Sequence, residues 1–191
     1  MNLIPSLKDK TEKAFISCDD LFTNEELTKI ESIVDKLDFQ NATTENSQTD
    51  IKIRNSKIKW LYNNEENSFL YNKLGIFCIQ VNDQFYNFNL SNMNEAIQYT
   101  VYEPDMHYTW HTDSGVQGQL PRKLSLTIQL SEPDEYEGGD LEIWTGGNPE
   151  KIIRKKGAVV VFPSFRLHRV TPVTKGIRKS LVVWVGGPNF K

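Results

Sequence analysis

From Glu95 onward the chain is a succession of short β-prone runs, AIQYTVYE, YTWHTD, KLSLTIQLS, DLEIWT, AVVVFP, LHRVTP and KSLVVWVGG, each stopped by glycine, proline or aspartate. β-Branched and aromatic residues favour the pleated backbone, and turn residues at this close spacing break it again. Short strands with tight turns have to pair antiparallel and close two sheets over one core, so the pattern predicts a jelly-roll sandwich over about residues 95–187.

The part before it, about residues 20–90, has a helical character. Thr23 and Glu26 form a capping box and Phe22 can staple onto Leu27, which starts a helix over 23–38. Leu27, Ile30, Val34 and Leu37 then make one apolar stripe of helical period. A second helix is expected from about Glu66 to Phe85, with Leu70, Leu74, Phe77, Cys78, Val81 and Phe85 on one side. Gly75 weakens it by about 1 kcal/mol relative to alanine. Between them QNATTENSQTD, residues 40–50, reads as a polar loop that could act as a lid, and Ile51, Ile53 and Ile58 suggest a strand in IKIRNSKIKWL. The expectation is a mainly β chain with packing helices, of α+β class, forming one domain over 1–191 with the helices against one sheet.

Composition narrows the function classes. The 191 residues are enough for one core, and 38% hydrophobic with 25% charged residues fits a globular enzyme rather than a disordered chain. A net charge of -3 gives no basic footprint for nonspecific nucleic-acid binding. The opening MNLIPSLKDKTEKAF lacks the apolar run of a signal peptide, and AVVVF and LVVWV are far too short to cross a bilayer. Cys18 and Cys78 make neither a disulfide framework nor a zinc pattern. These features predict a cytoplasmic protein, in which the Asn-x-Ser/Thr matches at Asn41 and Asn89 are chance.

His111 and Asp113 carry the chemistry. Side chains two apart on a strand point to the same face, so an imidazole and a carboxylate there can be neighbouring ligands. Alone, the pair is weak, because a surface hydrogen-bonded pair is the blander reading. His168, after AVVVFP, supplies a third ligand. Two histidines and one carboxylate with open positions match the facial triad of non-haem Fe(II) oxygenases. His107 shares parity with His111 on an unbroken strand, which gives it either a pocket role or plain exposure. Arg178, Ser180, Val182 and Trp184 share one face of the last strand, and a cation facing a sandwich interior needs an anion. That anion is either a ligand or a protein carboxylate such as Glu142 or Asp140. Thr127 and Gln129 lie on one face of KLSLTIQLS.

With these residues the chain resembles the 2-oxoglutarate- and Fe(II)-dependent dioxygenases. YEPDMHYTWHTD is similar to the Tyr-x-x-Gly-x-x-Tyr-x-x-His-x-Asp segment of the prolyl-4-hydroxylase-like branch, with Tyr102 and Tyr108 in the tyrosine places and Asp105 where glycine is common. LHRVTPVTKGIRKSLVVWV resembles the C-terminal signature of bacterial and phage PKHD-type hydroxylases, and Arg54-x-Ser56-x-x-x-Trp60 resembles a stretch near their active site. The resemblance covers roughly residues 50–187. It implies a double-stranded β-helix, Fe(II) on His111, Asp113 and His168, and 2-oxoglutarate and O2 as cosubstrates, with ascorbate as an auxiliary reductant. It implies that Arg178 binds the distal carboxylate of 2-oxoglutarate, with Thr127, Gln129 and Tyr102 around the cosubstrate; Gln129 stands where relatives often carry tyrosine. Arg54, Tyr108 and Trp184 are candidate substrate contacts.

The activity so implied is hydroxylation of an unactivated C–H with release of succinate and CO2. A prolyl residue in a peptide or protein ranks first, and a small molecule or free amino acid second. A nucleobase demethylase ranks lower, because Trp184 stands where those relatives carry a second arginine. A non-catalytic jelly-roll binding module ranks last. The expected setting is the cytoplasm of a bacterium or phage-infected cell, with no membrane partner.

Overall fold

A computed structural model of the chain describes residues 13–42, 50–93, 95–115 and 121–189. A first short strand, β1 (Ile16–Cys18), leads into α1 (Asn24–Asp35). The helix starts as its capping box dictates: the Thr23 N–H donates to Glu26 Oε2 at 2.9 Å, and the Glu26 N–H donates to Thr23 Oγ1 at 3.3 Å. Leu27, Ile30 and Val34 form its buried face. The chain continues through β2 (Gln40–Asn41), β3 (Arg54–Asn55), β4 (Lys57–Leu61) and α2 (Ser68–Val81). There follow β5 (Ile97–Tyr102), β6 (His107–His111), β7 (Arg122–Gln129), β8 (Tyr136–Gly138), β9 (Leu141–Trp144), β10 (Pro149–Lys151), β11 (Val159–Pro163), β12 (His168–Val170), β13 (Val173–Gly176) and β14 (Arg178–Gly186).

The strands form a seven-stranded sheet in the order β1-β11-β7-β14-β5-β4-β2, a five-stranded sheet β10-β9-β12-β6-β3, and the ribbon β13-β8. Along the chain β5, β7, β11 and β14 enter the larger sheet while β6, β9 and β12 enter the smaller one. Winding between the two sheets in this way makes the double-stranded β-helix, or jelly roll, that the strand pattern predicts.

Strand parity divides the larger sheet between two jobs. Leu124, Leu126 and Ile128 of β7, with Leu181, Val183 and Val185 of β14, pack in one cluster with Ile30, Val34, Leu70, Leu74 and Cys78 of the helices. The alternate residues Ser125, Thr127, Gln129, Arg178 and Ser180 are buried too. They face the sandwich interior, where Tyr102, Ile143, Val160, Phe162 and Val170 form a second cluster. The helices thus seal the outer face, and the inner face is free to be polar.

Three expectations need correction. The second helix regular geometry stops at Val81, and Asn82–Tyr86 forms a π-helical turn closed by the Asn87 N–H donating to the Asn82 carbonyl at 2.7 Å. IKIRNSKIKWL is not one strand: Ile51 and Ile53 are exposed in a turn, β3 joins the smaller sheet, and β4 joins the larger. The hydrophobic alternation there spans a change of sheet at Ser56. Gln40–Asn41, read as loop, pairs with β4. The rest of that loop, 43–49, and with it the lid reading, lies outside the described residues.

Candidate metal centre

His111 ends β6 and His168 opens β12, and they are direct cross-strand partners in the smaller sheet. Their rings lie 4.1 Å apart between centroids. Each Nδ1 faces the carbonyl two residues earlier, Thr109 for His111 and Arg166 for His168, both at 2.8 Å. A carbonyl only accepts, so each Nδ1 carries the proton and each Nε2 keeps its lone pair for a ligand role. Asp113 follows β6, and its N–H donates to the Ser164 carbonyl at 2.7 Å, which carries its carboxylate toward the larger sheet. His111 Nε2 is 3.7 Å from Asp113 Oδ1, and His168 Nε2 is 3.5 Å from Oδ2. The three potential ligand atoms fall within 4.8 Å of one another.

His111 and Asp113 do come together although β6 ends at His111 and Asp113 lies just beyond it, but the parity that linked His107 to His111 does not hold. Tyr108 pairs with Val170 and His111 with His168, so Thr109 and Trp110 oppose the single residue Arg169. This bulge brings Tyr108 and His111 to the same side, their rings stacked at 3.4 Å. His107 turns away, with its ring nitrogens facing the carbonyls of Asp105 and Lys52 at 3.2 Å each.

The electrostatics suit a cation. Burial above all, with smaller contributions from His168 and Arg54, pushes the His111 imidazole down to about 3, so it is neutral at physiological pH. Burial alone would raise the Asp113 carboxyl. The two imidazoles, the Trp184 N–H and Arg122 outweigh it and hold the group at about 2, so it stays ionised. Two imidazoles and one carboxylate, with no thiolate, are the donor set of a non-haem Fe(II) centre, and the residues fit that ion. The two thiols stand elsewhere: Cys78 is in the helix core, where burial drives it up to about 12, and Cys18 is on β1.

A cavity of about 280 Å³ opens beside the triad, lined among others by Arg54, Trp60, Tyr102, Tyr108, Thr127, Arg178 and Trp184. Arg178 is 2% exposed and has no carboxylate partner among the described residues. Its Nη2 donates to Gln129 Oε1 at 3.1 Å and its Nη1 to Ser180 Oγ at 3.3 Å, and its guanidinium lies 5.5 Å over the Tyr102 ring. The protein carboxylates proposed as alternative partners are taken: Glu142 by Arg169 at 2.8 Å, and Asp140 by Lys151 at 2.8 Å. Arg178 is therefore a buried cation held in place by neutral groups and facing a cavity.

Arg54 is also buried, donates from Nε to Ser56 Oγ at 3.1 Å, and lies 4.8 Å over Tyr108. Trp184 lines the cavity and in addition donates its indole N–H to Asp113 Oδ2 at 3.0 Å. Sequence reasoning missed Ser125, which donates to the same oxygen at 2.8 Å, and the Arg122–Glu95 pair at the mouth, whose guanidinium covers the Trp184 ring at 3.9 Å. Ser125 shares the parity of Thr127 and Gln129, a signal already present in KLSLTIQLS.

Comparisons with known proteins agree with this geometry. Residues 97–186 match the model of the 2OG-Fe(II) oxygenase superfamily. The chain is 32% identical over 187 residues to a PKHD-type hydroxylase of Crocosphaera subtropica, covering 89% of this chain and 77% of that one. It is 39% identical over 94 residues to a PKHD-type hydroxylase of a Synechococcus species, a match that spans 47% of this chain and 42% of the relative's length. In fold it is similar to a prolyl hydroxylase of Trichoplax adhaerens, solved in complex with a hypoxia-inducible-factor oxygen degradation domain peptide. That likeness has a TM-score of 0.77 and 17% identity over 91% of this chain and 83% of that one. It is also similar to a prolyl-4-hydroxylase of Pseudomonas putida, with a TM-score of 0.72 and 19% identity over 92% of this chain and 94% of that one.

Proposed function

The chain belongs to the PKHD-type branch of the 2OG-Fe(II) oxygenase superfamily, and we propose that it is a 2-oxoglutarate-dependent dioxygenase that hydroxylates a prolyl residue in a peptide or protein. The observation that carries the cosubstrate assignment is Arg178, a buried guanidinium without a carboxylate partner among the described residues, facing the cavity beside the triad.

His111, Asp113 and His168 would hold Fe(II), with the His111 imidazole neutral and the Asp113 carboxylate ionised. Bound there, Fe(II) supplies the redox chemistry by which 2-oxoglutarate, O2 and R–H become succinate, CO2 and R–OH. The protein's own work is binding and orientation. The planar fork of Arg178 takes the distal carboxylate in a charge-assisted pair, while Gln129 and Ser180 fix the fork and Thr127 and Tyr102 wall the cosubstrate. Phe162, Leu141 and Val170 line the cavity with apolar surface, which excludes water from the reacting groups. Arg54 and Tyr108 stand at the substrate side, and Arg54 has donors beyond its bond to Ser56 that suit the carbonyl oxygens of a peptide. Among the described residues no helix is long and apolar enough to cross a membrane.

The test is mass spectrometry of proline-containing peptides incubated with the protein, Fe(II), 2-oxoglutarate, O2 and ascorbate. A peptide substrate should gain one oxygen atom on proline and raise succinate formation above the level without peptide. Free proline and methylated DNA should do neither. Formaldehyde release from methylated DNA would move the chain to a demethylase, and oxidation of free proline alone to an amino-acid hydroxylase.

A further inference from the structure

Trp184 and Ser125 face each other as cross-strand partners on β14 and β7. Both point at one atom: the indole N–H of Trp184 donates to Asp113 Oδ2 at 3.0 Å, and the Ser125 hydroxyl donates to it at 2.8 Å. Ser164 Oγ lies 3.0 Å from Ser125 Oγ, and because the Ser125 proton is already directed at Asp113, Ser164 is the donor of that bond. The Trp184 ring is fixed in turn. Arg122 covers it at 3.9 Å and is itself held by Glu95 through both Nε and Nη2, and Trp60 leans on it at 6.5 Å between centroids. Ser125 is 0% and Trp184 7% exposed, so no water competes easily for these donors.

A carboxylate oxygen has about two acceptor sites, and here both sites of Oδ2 are taken by neutral, rigid donors. Among the described residues no hydrogen-bond donor reaches Oδ1, which lies 3.7 Å from His111 Nε2. We infer that Trp184 and Ser125 are positioning residues that restrict Asp113 to binding a metal through Oδ1 only. A carboxylate that turned to bind through both oxygens would take up a position on the metal that 2-oxoglutarate or O2 would otherwise use. The pair therefore preserves the open face of the centre, which rests on the 2-oxoglutarate reading above. It also gives Trp184 a task distinct from substrate contact.

The experiment loads the wild type, Trp184→Phe and Ser125→Ala with Co(II) as a spectroscopic probe. Phenylalanine retains an aromatic ring under Arg122 but loses the N–H and part of the indole; alanine loses only the hydroxyl, so a change shared by both variants reports the donors, and either variant suffices if the other fails to fold. Visible spectra, Co(II) affinity, 2-oxoglutarate affinity of the Co(II) form and melting of the metal-free proteins are measured. The visible bands of the variants should shift, and 2-oxoglutarate affinity should fall about ten- to a hundredfold, with a smaller change in Co(II) affinity. Spectra that superimpose on the wild type would overturn the inference. So would equal losses of Co(II) and 2-oxoglutarate affinity tracking a lowered melting temperature, the pattern of plain structural damage. Failure of the wild-type Co(II) form to take up 2-oxoglutarate would instead sink the cosubstrate reading, while the spectra still decide on Asp113.

Discussion

Arg178 is the residue on which cosubstrate identity turns, and its surroundings make a sharp prediction. Its two terminal nitrogens lean on Gln129 and Ser180, and the acidic groups that could have neutralised it are paired with other cations. Arg178→Lys keeps the charge and loses the fork. A charge-assisted hydrogen bond contributes about 1.5–3 kcal/mol, so 2-oxoglutarate affinity should fall about ten- to a hundredfold. Metal affinity should hold, since the triad is untouched. Titration of 2-oxoglutarate into the anaerobic Fe(II) forms measures this, and equal affinities would remove Arg178 from the cosubstrate site. The triad and Arg178 were legible in the sequence because each is a residue type whose burial demands a partner or a ligand. The Trp184 N–H on Asp113 was not, because it depends on the register of β14 against β7 and on how far Asp113 reaches between sheets. Which of the two readings of His107 holds was not legible for a related reason: parity holds only along an unbroken strand, and the bulge at Thr109 and Trp110 resets it.

At the scale of elements, the strands of the sandwich announced themselves where both faces are buried, as in AVVVFP and KSLVVWV. The pieces that escaped notice, β1, β2, β8, β10 and β13, are two to four residues long, too short for a hydrophobic pattern to mark them. The ribbon β8–β13 nonetheless reaches the site. Gly139, just after β8, has φ 60°, and a Cβ there would meet Val173 Cγ2 at 2.8 Å and Arg178 Cδ at 3.2 Å. Gly139→Ala should therefore do two things. The left-handed backbone costs an L-residue about 1–2 kcal/mol, which lowers the melting temperature by roughly 2–8 °C for a chain of this size. The push on Arg178 should also weaken 2-oxoglutarate binding more than metal binding. A thermal melt and the same titration read both effects, and a variant that melts lower with unchanged cosubstrate affinity would show that the ribbon does not set the position of the arginine.

Across the whole molecule the centre joins the two sheets. His111 and His168 belong to the smaller sheet, while Asp113 is anchored by donors from Ser125 and Trp184 of the larger one. An ion held by all three ties the sheets together and should stabilise the folded chain by mass action. At a free metal concentration a hundred times Kd the gain is about 2.7 kcal/mol, or roughly 5–11 °C in melting temperature, and chelation should reverse it. Asp113→Ala should abolish the shift between metal-free and metal-loaded melts, because two histidines from one sheet no longer bridge to the other. Leu74→Ala provides the contrast. Leu74 is fully buried where α2 packs on the outer face of the larger sheet, remote in role from the ligands, and its truncation should cost about 2–5 kcal/mol. That variant should melt lower with and without metal, yet keep the full loading shift. Differential scanning calorimetry of the three proteins, each with and without Fe(II) under anaerobic conditions, makes the comparison. A loading shift that persists in Asp113→Ala would mean that the ion is held elsewhere; a shift lost in Leu74→Ala would mean that the helical layer, and not the triad alone, sets the geometry of the centre.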